Sequence, residues 1–243
     1  MRQDLYQELF EVENNHWWHE HKRAVVHQMI DRYADKGKVL DIGAGTGKML
    51  AELKEKGWKI TGVDGEKEAI EWSKKRGIKI QRCNLRHGKL PFKANSFDLV
   101  LALDVLEHLT NTQAALTEAK RVVKPGGLII ATTPAYQWLY GYWDKMLGHR
   151  RRYTSKTMKT LFRTIGLKIK YLGYFSTPWF LPAVLVRKTK SILRMTSVSD
   201  FQTTPLPVFS LSLLKTLSIM ERRLLRNFKL PFGLSVICIA RKK

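Results

Sequence analysis

The sequence predicts an α/β protein with a doubly wound, mostly parallel sheet, and three observations carry that expectation. Residues 39–50, VLDIGAGTGKML, run from apolar and β-branched residues into Gly43, Gly45 and Gly47 and on into a helix start. That is the strand, glycine turn and helix order of a cofactor loop in such a sheet. Between residues 38 and 132, short apolar runs alternate with amphipathic stretches, the pattern of parallel strands joined by right-handed crossovers. Hydrophobic residues make up 44% of the 243, enough for one sizeable core and too many for a disordered chain.

The elements follow in order. Residues 18–33 place Val25, Val26, Met29, Ile30 and Tyr33 near helical spacing, so a helix leads into a first strand at 38–42. A helix over 48–56 ends at Gly57, and a second strand follows at 58–63. The next helix spans 66–76, stops at Gly77 and gives way to a third strand at 78–82. FDLVLAL, 97–103, is apolar almost throughout and predicts a buried fourth strand. A helix at 112–123 closes at Pro125-Gly126-Gly127, ahead of a fifth strand at 128–132. The aromatic-rich segment 134–146 reads as a long loop. A helix at 155–165, ended by Gly166, precedes a strand at 167–175. Two helical stretches at 178–194 and 211–228 are joined by a polar link at 196–207, and a last strand occupies 233–240.

Charge is distributed unevenly. The net charge is +22, yet residues 1–141 hold 22 Lys/Arg against 18 Asp/Glu. Residues 142–243 hold 21 Lys/Arg against only Asp144, Asp200 and Glu221. Such a field draws polyanions: nucleic acid, an anionic membrane surface or a phosphorylated substrate. A merely soluble basic face is the plainer alternative. Cys83 and Cys238 stand far apart, which argues against a disulfide framework or a zinc cluster, and no metal is anticipated. The mixed-charge opening MRQDLYQELFEVEN does not read as a signal peptide, and the apolar run near 179–186 is too short to span a bilayer. The expectation is a cytoplasmic protein, with peripheral contact to the inner face of a membrane as its extension.

The glycine loop narrows the ligand. Only three residues separate Gly43 from Gly47-Lys48, and Met49 follows, whereas a phosphate-binding Walker loop needs four and then Ser or Thr. A dinucleotide fingerprint wants its third glycine where Lys48 stands. Asp41, two residues before the first glycine, points a carboxylate at the crevice, which suits a ligand with a cationic end better than a pyrophosphate.

Four segments together carry a resemblance. VLDIGAGTGKML, VDGE at 63–66, LPFKANSFDLVLALDVLEHL at 90–109 and KPGGLIIATTP at 124–134 resemble the class I S-adenosylmethionine-dependent methyltransferases. The likeness covers roughly residues 16–175 and the last strand. It implies a seven-stranded sheet of Rossmann-like type, with the last strand antiparallel between the fifth and sixth. It also implies a single domain over 1–243: a helical cover at 1–36, a cofactor-binding core at 37–175, a helical insertion at 176–231 and the final strand at 232–243. S-adenosyl-L-methionine is the implied cofactor. Asp41 would face its ammonium, and Gly43, Ala44, Gly45 and Gly47 would present backbone to it. Asp64, followed by Gly65, would accept the ribose hydroxyls, unless it serves as a helix cap. Asn84, where the family commonly has Asp, would accept from the adenine amino group beside Leu85. Leu103 and Asp104 would line the methyl side, with a helix cap again the alternative for Asp104.

Methyl transfer from a sulfonium needs positioning and exclusion of water more than covalent help. A hydroxyl acceptor would want a base near neutral pH. His108, at the start of a helix, and His149, in Trp143-Asp144-x4-His149-x2-Arg152-Tyr153-Thr154, are the candidates. That block resembles one in a bacterial and archaeal subgroup of the family, where acceptors enter. Arg152 and Tyr153 are carried as acceptor-binding, and a structural pairing of Asp144 with His149 or Arg152 is the competing reading. Glu13, His16, Trp17, Trp18 and Arg23 resemble the subgroup's cover over the cofactor, with Trp18 assigned to substrate; the alternative for the two tryptophans is a hydrophobic anchor. In the insertion, WFLPAVLVRKTKSIL and LSLLKTLSIMERRLLRNF combine apolar and basic residues. They fit a lid over an anionic interface or a phosphate-bearing lipid, Trp179, Phe180, Leu181, Val184 and Leu185 entering the acyl boundary, or ordinary packing on the sheet. The expected function is methyl transfer to an anionic small-molecule or lipid-linked acceptor. An RNA methyltransferase and a non-catalytic cofactor-binding accessory module are the alternatives.

Overall fold

The computed structural model describes residues 3–85, 89–192 and 208–243, so the link anticipated at 196–207 lies outside the described residues. Two helices, α1 (Gln3–Val12) and α2 (Trp17–Tyr33), precede the sheet. Then come β1 (Lys38–Ile42), α3 (Lys48–Glu55), β2 (Lys59–Asp64), α4 (Lys67–Lys75), β3 (Gln81–Arg82), β4 (Phe97–Leu103) and α5 (Thr112–Val122). The second half holds β5 (Val123–Pro134), α6 (Tyr142–Leu147), α7 (Ser155–Thr164), β6 (Lys168–Phe175), α8 (Phe180–Ile192), α9 (Val208–Asn227) and β7 (Ser235–Arg241).

The seven strands lie in the order β3-β2-β1-β4-β5-β7-β6. β7 runs antiparallel to both neighbours, Thr132 opposite Ile237 and Gly173 opposite Ile237 on the other side, while the remaining pairs are parallel. The period of two along each strand sorts the core into two layers. Leu40, Val100, Ile129 and Cys238 face α5 and α7 through Leu116, Val122, Met158 and Phe162. Val39, Leu99, Ile130 and Ile239 face α2, α3 and α9 through Val26, Met29, Leu53 and Leu225. Both faces of the sheet are therefore covered, as a parallel sheet requires.

Four details depart from the sequence expectation. Within the helical cover anticipated at 1–36, where sequence spacing marked only the helix at 18–33, α1 is a separate helix that packs Phe10 on Trp72 of α4, ring centroids 4.8 Å apart, and Tyr6 against Leu50 and Ile80. The third strand is only two residues long, at the sheet edge. The presumed loop 134–146 contains α6 and a short 3-10 turn at Gln137–Leu139. His108 does not begin a helix: it closes a 3-10 turn at Leu106–His108, and α5 starts at Thr112, capped by the Asn111 side chain on the Ala114 N–H at 3.0 Å.

Candidate functional site

A cavity of about 800 Å³ opens over the carboxyl ends of β1, β2, β4 and β5, between α2 and α8. Its position follows from the topology, because strand order reverses between β1 and β4 and the loops there diverge.

One end is built by the glycine loop. Gly43 and Gly45 have φ of 74° and 54°, a region that costs other residues, and both line the cavity with Ala44. Gly45 donates its N–H to Asp64 Oδ2 at 2.9 Å, and Asp64 Oδ1 accepts the Glu66 N–H at 2.9 Å. Asp64 is thus fixed at the mouth of its turn; Glu66, not Asp64, is the residue preceding α4. Asp41 lies beneath, 3% exposed, with Oδ1 lacking a hydrogen-bond partner. Burial, and secondarily the nearby Asp64 charge, push its carboxyl up to about 8. A ligand ammonium would meet that orphaned acceptor, so these residues fit a cofactor that carries one. Gly65, Asn84, Leu85 and Leu103 complete this end. Gly47 does not reach the cavity. With φ of 76° it caps α3, and a Cβ there would meet Ile78 at 3.2 Å and Ser73 at 3.3 Å, so the glycine lets the start of α3 pack on α4 and the chain that follows it.

The opposite end gathers charge around Asp144, which is 1% exposed. Asp144 Oδ1 accepts from His149 Nδ1 at 2.8 Å and from Arg152 Nε at 2.8 Å. Its Oδ2 accepts from Arg152 Nη2 at 2.9 Å, from the Gly141 N–H at 2.9 Å and from Arg187 Nη1 at 3.3 Å. Burial alone would raise this carboxyl, but the His149 and Arg152 hydrogen bonds outweigh it and hold Asp144 far below the carboxylate range. The structure therefore realises the pairing of Asp144 with both residues, and both also line the cavity. The His108 and His149 rings approach edge to face, centroids 4.8 Å apart. Burial, then the neighbouring His149 charge, lowers His108 to about 4, so its imidazole is neutral at neutral pH. Tyr153 does not belong to the cavity lining. It is 6% exposed, with its hydroxyl 3.0 Å from Thr112 Oγ1 and donating to the Leu106 carbonyl at 3.2 Å, which ties α5 to the chain after α6.

Between the ends stands Asp104, whose φ of 53° is rare for a side chain with a Cβ. It caps no helix. Its carboxylate accepts from Thr132 Oγ1 at 3.3 Å and pairs with Lys22 of α2. Burial raises Asp104, but Lys22 overcomes that and leaves the group below its ordinary value. The cover is latched to the glycine loop as well: Thr46 Oγ1 donates to Glu13 at 2.6 Å, and Arg76 pairs with the same carboxylate. Trp17 and Trp18 both line the cavity, and Trp17 packs on Trp179 with centroids 4.7 Å apart, joining cover to α8. Trp179 is consequently 9% exposed and is not presented to a membrane, whereas Leu181 and Leu185 are 67% and 66% exposed.

Sequence reasoning missed Lys22, Arg187 and Glu107. Lys22 and Arg187 sit within otherwise ordinary helical patterns, so only the fold reveals their partners. Glu107 was part of a quoted motif, yet nothing local shows that it is fully buried beside two histidines.

Residues 40–131 match the family described as "Methyltransferase domain". The chain is 36% identical over 95 residues to a demethylmenaquinone methyltransferase of Tropheryma whipplei strain Twist, covering 38% of this chain and 40% of that protein. It is 30% identical over 159 residues to a demethylmenaquinone methyltransferase of Staphylococcus epidermidis strain RP62A, covering 60% of this chain and 66% of that one. The chain thus spans from 40% to 66% of the length of these curated relatives. A solved SAM-dependent methyltransferase from Archaeoglobus fulgidus shares the fold, with a TM-score of 0.64 at 18% identity over 98% of this chain and 100% of the other.

Proposed function

We propose, from the premise that the chain belongs to the class I S-adenosylmethionine-dependent methyltransferases, that it transfers a methyl group from this cofactor to a small acceptor held at the Asp144 end of the cavity. One observation carries the reading. A single cavity joins an acidic, backbone-lined end at Asp41 and Asp64 to an end built on His108, His149 and Arg152. The first end suits an ammonium and a ribose; when bound there, the cofactor supplies an electrophilic methyl group. This chain's own residues do the rest. The cover excludes water through Trp17 and Trp18, and the Lys22–Asp104 pair holds it down over the middle of the cavity. Asp144 fixes the His149 ring through Nδ1, which leaves the second ring nitrogen to take the acceptor's proton.

The acceptor we favour is an anionic or lipid-linked small molecule. Apolar walls at Trp143, Leu147, Trp179 and Val186 suit a hydrophobic body, and relatives named for demethylmenaquinone agree with that character. Leu181, Leu185 and Lys188 are exposed on α8, the helix that lines the cavity through Val186 and Arg187, an arrangement that suits an anionic membrane from which such an acceptor would enter. Among the described residues no helix is long and apolar enough to cross a membrane, so the contact would be peripheral.

The test is a calorimetric titration with S-adenosylmethionine, its demethylated product, NAD and ATP, followed by a labelled-methyl screen of lipid extracts and RNA. Binding of the first two alone, with label entering the lipid fraction, is the expected result. Preference for NAD would overturn the cofactor. Label entering RNA would transfer the acceptor to the nucleic-acid reading, and cofactor binding with no turnover on either would favour the accessory module.

A further inference from the structure

We propose that Glu107, His108 and His149 form a binding site for a divalent transition-metal ion whose open positions take oxygen atoms of the acceptor. The inference rests on the acceptor end identified above and specifies its chemistry. Each of the three side chains brings one ligand atom to within 4.8 Å of the others. Two imidazoles and one carboxylate gathered on one side of an ion are a donor set that borderline divalent ions accept, with further positions left for other ligands. Bonds of about 2.0–2.2 Å bring such donors to about 3–3.5 Å from one another, a closure that small side-chain rotations supply.

Two features support the donor set. His149 meets Asp144 through Nδ1 at 2.8 Å, and His108 meets the Gly148 carbonyl through Nδ1 at 3.3 Å. A carboxylate and a carbonyl only accept, so the ring protons sit on Nδ1 and the lone pairs on Nε2. Histidines that bind metals are held in this way, by an acceptor on the far nitrogen. Gly148 makes the turn possible: its φ of 77° reverses the chain between Asp144 and His149 and brings its carbonyl to His108.

Glu107 is the second feature. It is 0% exposed, and neither carboxylate oxygen accepts a hydrogen bond from a neighbouring side chain. The cations closest at hand are engaged, Lys22 with Asp104 and Arg152 with Asp144. Among the described residues, none makes an ion pair with Glu107. Ordinary packing would be served by Leu at this place, and a buried carboxyl group without a partner is costly. A cation shared with the two imidazoles gives it one. The acceptor class follows: a hydroxyl, an enol or a pair of neighbouring oxygens, held by the ion at the end of the cavity away from Asp41.

The test uses the full-length, tag-free chain, stripped with a chelator and titrated with Co²⁺, then with Zn²⁺, Mn²⁺ and Mg²⁺. One Co²⁺ should bind per chain, with visible d–d bands and a dissociation constant in the micromolar range or below. Glu107→Gln and His108→Asn should each weaken it by about 100-fold or more, with melting transitions near wild type. Should either variant fail to fold, protection of His108 and His149 in the wild-type chain against diethyl pyrocarbonate by Co²⁺ takes its place. No binding below millimolar concentration, binding indifferent to the variants, or no protection would overturn the site. Calorimetry with S-adenosylmethionine on the stripped chain separates the two claims. If the cofactor binds and no metal does, the metal site falls alone. If the cofactor fails to bind, the methyltransferase reading falls whatever the metal does.

Discussion

The two ends of the cavity are made in opposite ways. All of the cofactor end except Leu103 comes from one stretch, 39–85, in which each strand hands its last residues to the next turn. The groups it would offer a ligand are backbone and two acidic side chains, of which Asp64 is held by N–H groups of neighbouring turns. The acceptor end is assembled from the β4–α5 turn, the segment around α6 and Arg187 of α8; Asp144 joins the last two, and His108 and Glu107 tie the turn to Gly148 and Arg150. The first end has one geometry to keep for one cofactor. The second is a charged cluster of side chains from separate segments, and such side-chain sites, not the fold, are where chemistry differs between proteins of one frame.

Removing the central carboxylate should have the largest effect. Asp144→Ala leaves His149, Arg152 and Arg187 without their shared acceptor in a nearly dry place, at a cost of about 3–5 kcal/mol in denaturant unfolding. Where the variant still folds, cofactor affinity should stay within a few-fold of wild type while turnover is lost. Equal loss of cofactor binding would mean that the two ends are one cooperative unit. Asp64→Ala is the converse. It should weaken S-adenosylmethionine by about 1–3 kcal/mol in calorimetry, by leaving ribose hydroxyls and the Gly45 N–H unpaired, with a smaller change in stability.

The difference between the ends also explains what could be read from the chain. The strand and turn order of the first half was legible because glycines, carboxylates and apolar runs are local signals. Phe97–Leu103 and Lys38–Ile42 emerge with the anticipated bounds. α6 was hidden because aromatic residues over 134–146 carry little helical periodicity, and the helix is held by the Asp144 cap on the Gly141 N–H and by the bonds of Asp144 to Arg152 and Arg187. Tyr153 was taken for a binding residue because it belongs to the motif; its side chain turns away into the core, which spacing alone does not show. Gly47 likewise belongs to the loop by sequence and to helix packing by structure. The partnership of Lys22 with Asp104 joins residues 82 apart in the chain, beyond any local pattern.

A pH experiment sharpens the contrast further. Asp41 is raised to about 8, so the folded chain holds a proton there that the unfolded chain gives up near its ordinary 3.8. The stability this proton linkage contributes is full below about 3.8 and is lost as pH rises through about 8. A cofactor ammonium favours the ionised carboxylate, so binding should release a proton from Asp41. Affinity should therefore climb by up to about tenfold per pH unit below 8 and level off above it. Titrations in buffers of different ionisation enthalpy would count the proton. Asp41→Asn should remove both the release and the slope; a slope unchanged in that variant would place the titrating group elsewhere.

The smallest effect on the fold, and the one that tests the outer lip of the acceptor end, is expected at α8. Leu181 and Leu185 are 67% and 66% exposed, so replacing both by Ser should change stability by no more than about 0.5 kcal/mol. It should leave S-adenosylmethionine binding unaltered, since neither residue lines the cavity. A membrane, in contrast, would lose two inserted side chains, while attraction of anionic headgroups to the basic half of the chain would persist. Binding to vesicles rich in anionic lipid should then fall several-fold and become more sensitive to salt, because the unscreened apolar share has gone. RNA makes no use of exposed leucines, so any RNA binding should survive the double substitution. If vesicle binding survives and RNA binding falls, the exposed face of α8 belongs to a nucleic-acid surface, and the acceptor would have to be sought there.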